Sequence, residues 1–310
     1  MMISKENFQG TGTALVTPFR QDLSVDEDAL ARLVEFQIEG GVDMILPCGT
    51  TGEGATLESD EWERVIAGVV ELVAGRVLVI AGAGCNSTAR AQRLTQRAAK
   101  LGADAVLSVG PYYNKPTQEG YFEHFKAVTE VNDLPVVVYN VPGRTSGNIN
   151  AETTLRLAEL PGIVAVKEAS GDFPQIMEIL RCRKEGFRVL SGDDTLTLPM
   201  IAAGGDGAVS VVSNEVPALY GEMVDRALEG DFERARALHY RLLPLMRANF
   251  LESNPIPVKA VLAMMGLLAD TCRLPLTEAS PQTRDALGRI ASELGLITKK
   301  DANGEKGANA

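Results

Sequence analysis

Short apolar runs alternate along this chain with amphipathic stretches that open on Ser, Thr, Asp or Asn. Each alternation reads as a buried parallel strand followed by a capped helix. The strand-like runs fall at residues 13–17, 44–47, 77–81, 105–109, 136–139, 163–167, 188–191 and 208–212. Helical periodicity follows each at about 26–39, 60–73, 87–101, 119–131, 151–159, 174–184, 195–203 and 217–228. Eight strand–helix pairs over roughly 220 residues predict an α/β chain folded as a (β/α)8 TIM barrel, which typically takes about 250 residues; a doubly wound open sheet is the alternative. Beyond Gly230 the strand pattern stops, and 231–250, 256–268 and 280–293 read as helices. The expected organisation is a catalytic barrel over 1–228, a small C-terminal all-helical extension over 229–297, and a flexible tail over 298–310 without apolar periodicity.

Composition narrows the function. With 310 residues, 45% of them hydrophobic, the chain can bury a large core. A formal charge of −11 with no Lys/Arg stripe argues against nucleic acid, which leaves small molecules or further copies of the chain as partners. The first residues carry no signal-like apolar run, and the run 260–269 is too short to span a bilayer, so a cytoplasmic, membrane-free protein is expected. Cys48, Cys85, Cys182 and Cys272 are scattered and only His124 and His239 offer imidazoles, so neither disulfides nor a metal site is expected.

The unusual residue is Lys167, which ends the apolar run Ile163-Val164-Ala165-Val166. An ammonium in a buried strand is costly, and burial lowers its pKa from roughly 10.4 toward neutrality, which produces a nucleophilic amine. A structural ion pair is the competing reading, but the adjacent Glu168 points to the opposite face of a strand and is poorly placed to supply it. Schiff-base chemistry with a carbonyl substrate is the alternative. Other polar residues close other strands: Gly49-Thr50-Thr51-Gly52-Glu53 the second, Tyr112-Tyr113 the fourth, Tyr139 the fifth and Gly192-Asp193-Asp194 the seventh. In a barrel these ends converge on one mouth. Gly49–Gly52 lacks the lysine spacing of a nucleotide loop but suits a small carboxylate. Tyr139 reads either as a core aromatic or as a proton-transfer group, and Arg144 either as a surface arginine or as a bidentate carboxylate clamp.

With these residues the chain resembles the dihydrodipicolinate synthase and N-acetylneuraminate lyase family of pyruvate-dependent class I aldolases, from Gly12-Thr13 to about Leu296. The resemblance is carried by Gly49-Thr50-Thr51-Gly52-Glu53, Pro111-Tyr112-Tyr113-Asn114-Lys115-Pro116, Tyr139-Asn140-Val141-Pro142-Gly143-Arg144-Thr145, Val166-Lys167-Glu168-Ala169, Ser191-Gly192-Asp193-Asp194 and Asn254-Pro255-Ile256-Pro257-Val258-Lys259. Thr50 and Arg144 favour the synthase branch. The resemblance implies that Lys167 forms a covalent imine with pyruvate and that no cofactor is needed, the resulting enamine attacking L-aspartate semialdehyde. It implies that Tyr139 shuttles protons through Thr50 to Tyr113, that Thr51 holds the pyruvate carboxylate and Arg144 the semialdehyde, and that Gly192 and Val209 line the pyruvate site. It further implies a homodimer or homotetramer in which Tyr113 enters the neighbouring subunit's site. An aldolase acting on a sugar-derived 2-keto acid, or a non-catalytic pyruvate-binding regulator, are the alternative functions.

Lysine-inhibited members of that family bind lysine at a dimer-interface pocket through an acidic residue and histidines. Here the corresponding positions hold Arg90, Ser59 and Trp62, while Ala55, Asn86 and Tyr112 remain compatible. An arginine repels the ammonium groups that a carboxylate would attract, so feedback inhibition by lysine is expected to be weak or absent. An activity titration checks this; strong inhibition by sub-millimolar L-lysine would contradict it.

Overall fold

The computed structural model describes residues 8–298. Its eight strands, β1 (Gly10–Ala14), β2 (Met44–Leu46), β3 (Leu78–Gly82), β4 (Ala105–Val109), β5 (Val136–Asn140), β6 (Ile163–Glu168), β7 (Arg188–Ser191) and β8 (Gly207–Ser210), are all parallel and close in sequence order into one barrel. The predicted topology therefore holds, and the open-sheet alternative falls. Helices α1 (Glu27–Glu39), α2 (Ser59–Val73), α3 (Thr88–Lys100), α4 (Gln118–Thr129), α6 (Ala151–Ala158), α7 (Phe173–Cys182), α8 (Thr197–Ala202) and α9 (Pro217–Leu228) follow the strands. One short helix, α5 (Pro142–Thr145), sits in the loop after β5. Helices α10 (Phe232–Ala248), α11 (Ile256–Met264) and α12 (Pro281–Leu294) follow the barrel among the described residues. The tail expected at 298–310 lies outside the described residues beyond Thr298.

Local chemistry accounts for these elements. Asp26, Thr117, Asn150, Asp172, Asp231 and Ser280 each accept an N–H of the first turn of the helix they precede, contacts worth about 1 kcal/mol apiece. Within the strands the two-residue period sorts side chains into two cores. Met44, Leu46, Ile80, Val137, Leu190 and Val209 fill the barrel interior. Ile45, Val79, Val106, Val138, Val166 and Val189 face outward against helical residues such as Leu33, Ile66, Phe125 and Ile176. A separate cluster joins α9 to the three C-terminal helices through Tyr220, Leu242, Leu245, Val261 and Leu287. Among the described residues no helix is long and apolar enough to cross a membrane.

The first strand lies three residues before the predicted 13–17. The β-branched residues at 16 and 17 favour strand by propensity, yet Gly10-Thr11-Gly12 forms it, because closure against β8 demands close backbone approach. Gly10 pairs with Gly207, where an added Cβ would lie 2.0 Å from the Gly10 carbonyl oxygen. The register of β5 on β6 slips by one residue, with Val136 opposite Ile163 but Val137 opposite Ala165. Tyr139 thereby lies opposite Lys167, and Asn140 opposite Glu168.

Candidate active site

Lys167 and Tyr139 emerge together at the C-terminal mouth of the barrel. They are register neighbours on adjacent strands, and Lys167 Nζ stands 4.3 Å from the centre of the Tyr139 ring. Both are buried. Glu168 points the other way, accepting from Asn140 Nδ2 (3.1 and 3.2 Å), the Ser170 N–H (2.7 Å) and Gln175 Nε2 (3.3 Å). Among the described residues no carboxylate lies within ion-pair distance of Lys167. The structural ion pair is therefore not the explanation of this lysine.

Burial lowers the Lys167 pKa to about 8, with the nearby Arg144 guanidinium acting in the same direction and Asp194 opposing it. Asp194 is buried behind the mouth, where burial raises its carboxyl pKa above the usual range and the Val212 N–H (2.9 Å) opposes that rise; the Val211 N–H (3.1 Å) donates to the same oxygen. Near neutral pH a useful fraction of Lys167 is thus free amine. Burial pushes the Tyr139 phenol up to about 12, while Arg144 and a hydrogen bond with Thr50 restrain the rise. Tyr139 therefore keeps its proton and can act as a hydroxyl relay.

Lys167, Tyr139, Thr50, Thr51, Arg144 and Gly192 all line one cavity of about 140 Å³, a volume suited to a small keto acid. Thr51 accepts from Asn254 Nδ2 at 2.9 Å, and Arg144 Nη2 reaches the Asn254 carbonyl at 3.3 Å. A Cβ at Gly192 would stand 2.8 Å from Ala169 Cβ and 2.9 Å from Lys167 Cε, so glycine lets the backbone approach the lysine closely. Val209 is buried in the barrel interior, one strand position below the mouth. Tyr113 does not join the others: it is 89% exposed, with φ of 73°. Sequence reasoning gave no role to Asn254, Asp194, Glu53 or Lys259. The last of these was visible as a single charge inside the apolar run 256–268.

A second cavity of about 450 Å³ shares Thr50, Tyr139, Arg144 and Asn254 with the first and extends to Ala55, Ser59, Trp62, Arg90 and Tyr112. The Trp62 indole donor is already engaged by the Gly82 carbonyl at 2.9 Å, so it offers no replacement for an imidazole.

A model of the dihydrodipicolinate synthetase family matches residues 7–294. The chain is 57% identical over 290 residues to the 4-hydroxy-tetrahydrodipicolinate synthase of Koribacter versatilis, covering 93% of this chain and 97% of that protein. It superposes on dihydrodipicolinate synthase from Aquifex aeolicus with a TM-score of 0.92 at 48% identity, over 94% of this chain and all (100%) of that one. The synthase of Acinetobacter baumannii complexed with pyruvate gives a TM-score of 0.92 at 42% identity, over 93% of this chain and 99% of that one.

The rate at which cyanoborohydride traps a 2-keto acid on Lys167 should rise as pH climbs toward the amine's pKa of about 8, because only the neutral amine attacks. Asp194→Asn removes a group that favours the ammonium and should move that rise to lower pH. An unmoved rise would dismiss Asp194 from the electrostatics of the lysine.

Proposed function

This chain belongs to the dihydrodipicolinate synthetase family, and from that we propose that it condenses pyruvate with L-aspartate 4-semialdehyde through an imine on Lys167, giving 4-hydroxy-tetrahydrodipicolinate. The observation that carries this reading is the buried Lys167 amine, with no carboxylate at ion-pair distance, over the Tyr139 ring in a small cavity that Thr51 and Arg144 share.

The Lys167 amine attacks the pyruvate ketone and the carbinolamine loses water to give an iminium. The iminium draws electrons from the adjacent methyl, which gives up a proton and leaves an enamine. The enamine carbon attacks the aldehyde of the second substrate, whose oxygen takes a proton. The amine of that substrate then displaces lysine from the iminium, closing the ring and returning Lys167 as free amine. Protons enter and leave through the Tyr139 hydroxyl and Thr50 beside it. Thr51 and its neighbouring backbone N–H groups take the pyruvate carboxylate, while the exposed Arg144 at the rim takes that of the semialdehyde. Electron storage in the imine makes a separate cofactor unnecessary.

Tyr113 stands in an uncommon left-handed conformation and projects into solvent from a single chain. In this reading it completes the proton relay of a neighbouring copy, so the working unit is a dimer or a pair of dimers, acting in the cytoplasm on small molecules alone.

Borohydride reduction with pyruvate followed by peptide mass analysis should place the adduct on Lys167, with turnover supported by aspartate semialdehyde and not by sugar aldehydes. Absence of the adduct removes the mechanism, preference for sugar aldehydes transfers the chain to the lyase branch, and an adduct without turnover makes it a pyruvate sensor. Mixing the inactive variants Lys167→Ala and Tyr113→Phe under conditions of subunit exchange should restore activity; mixtures as inactive as their parents would confine Tyr113 to its own chain.

A further inference from the structure

A second lysine, Lys259, is buried more completely than Lys167 and takes no part in the proposed chemistry. Its Nζ donates to Glu53 Oε1 at 2.5 Å and to the Thr271 carbonyl at 2.8 Å, and lies 4.3 Å from the centre of the Phe19 ring. The other Glu53 oxygen accepts the Arg273 N–H at 3.0 Å. Both side chains are at most 1% exposed. A buried pair of this kind is weak evidence for stability, since well-packed apolar residues often serve as well. Its position is more telling than its energy.

Glu53 ends the loop that carries Thr50 and Thr51. It sits in the left-handed region, with φ of 51°, and its N–H donates to the Thr50 carbonyl at 3.1 Å. A displacement of the Glu53 side chain therefore passes through one peptide hydrogen bond to Thr50. Lys259 lies on α11, whose N-terminal approach carries Asn254, the residue that holds Thr51 and Arg144. One short segment of the C-terminal helices thus holds this loop at two points, Thr51 and Glu53.

We propose that Lys259 is a positioning residue for pyruvate: through its buried pair with Glu53 it sets the Thr50–Thr51 loop at the depth where Thr51 meets the pyruvate carboxylate over Lys167. The pair is directional in a way an apolar contact is not, because the Lys259 ammonium on one oxygen and the Arg273 N–H on the other fix the rotation of Glu53 as well as its distance. The inference rests on the reading of Lys167 and Thr51 as the pyruvate site.

The test uses the full chain with Lys259→Met, Glu53→Gln, the double variant, and Asp206→Asn as a control. Asp206 is a comparably buried carboxylate held by Arg188 (2.9 Å) and the Val189 N–H (2.8 Å) at the opposite end of the barrel. Lys259→Met should raise the KM for pyruvate about tenfold or more while kcat at saturating pyruvate falls less than about threefold. The double variant, relieved of an unpaired buried charge, should recover thermal stability and keep the raised KM. Asp206→Asn should lose stability with an unchanged KM for pyruvate. An unchanged KM in Lys259→Met, or a KM that recovers along with stability in the double variant, overturns the proposal and leaves only a structural pair. If Lys259→Met does not fold, Glu53→Gln and the double variant decide between the same outcomes. Borohydride trapping of the unaltered chain with pyruvate is run beside them, so that failure of the imine and failure of the clamp are read separately.

Discussion

Closure of the sheet, with β1 paired to β8 from Gly10 opposite Gly207 to Thr13 opposite Ser210, leaves no free strand edge and determines which side chains of every strand turn inward. Once that ring is closed, a one-residue slip anywhere would exchange the interior and exterior sets of a strand, exposing one core to the other's environment. The slip that does occur, between β5 and β6, is absorbed near the N-terminal end of those strands, so that Tyr139 and Lys167 still face inward side by side. The mouth of the barrel inherits this order: loops leaving adjacent strands bring Thr50, Thr51, Arg144 and Gly192 to the same cavity because the strands beneath them are fixed.

Two buried lysines in one chain show how environment separates roles. Burial lowers the pKa of both. Lys259 is met by the carboxylate of Glu53 at hydrogen-bond distance, and the charge is used to hold two parts of the chain together. Lys167 has an aromatic face and, further off, the carboxylate of Asp194, which is enough to moderate its pKa and too little to bind it as an ion pair. The amine that is left without a bonded counter-charge is the one available to a carbonyl carbon.

The strands at 105–109 and 188–191 were legible to the residue, because each is a compact apolar run bounded by polar turns. The first strand was misplaced, since propensity favours the bulkier residues of 13–17 while barrel closure selects the small Gly10-Thr11-Gly12. The turn helix Pro142–Thr145 was not foreseen: four residues are too few to show a helical period. Within the site, Lys167 stood out as a charge at the end of an apolar run, and Tyr139 by ending the strand before it. Asn254, by contrast, belongs to a motif that carries the family resemblance but shows no role among its neighbours, because its hold on Thr51 spans 203 residues of sequence.

Sequence alone determined the alternation of strands and helices, the end of the barrel at which polar residues gather, and the identity of the residue with anomalous chemistry, because each is written in local periodicity and in the cost of burying charge. Tertiary structure decided which lysine is paired and which is free, that Tyr113 stands exposed away from the cavity where the other site residues gather, and that the C-terminal helices reach back to the Thr50–Thr51 loop. Those outcomes depend on contacts between residues far apart in the chain, and a pattern read over neighbouring positions carries no measure of such distances.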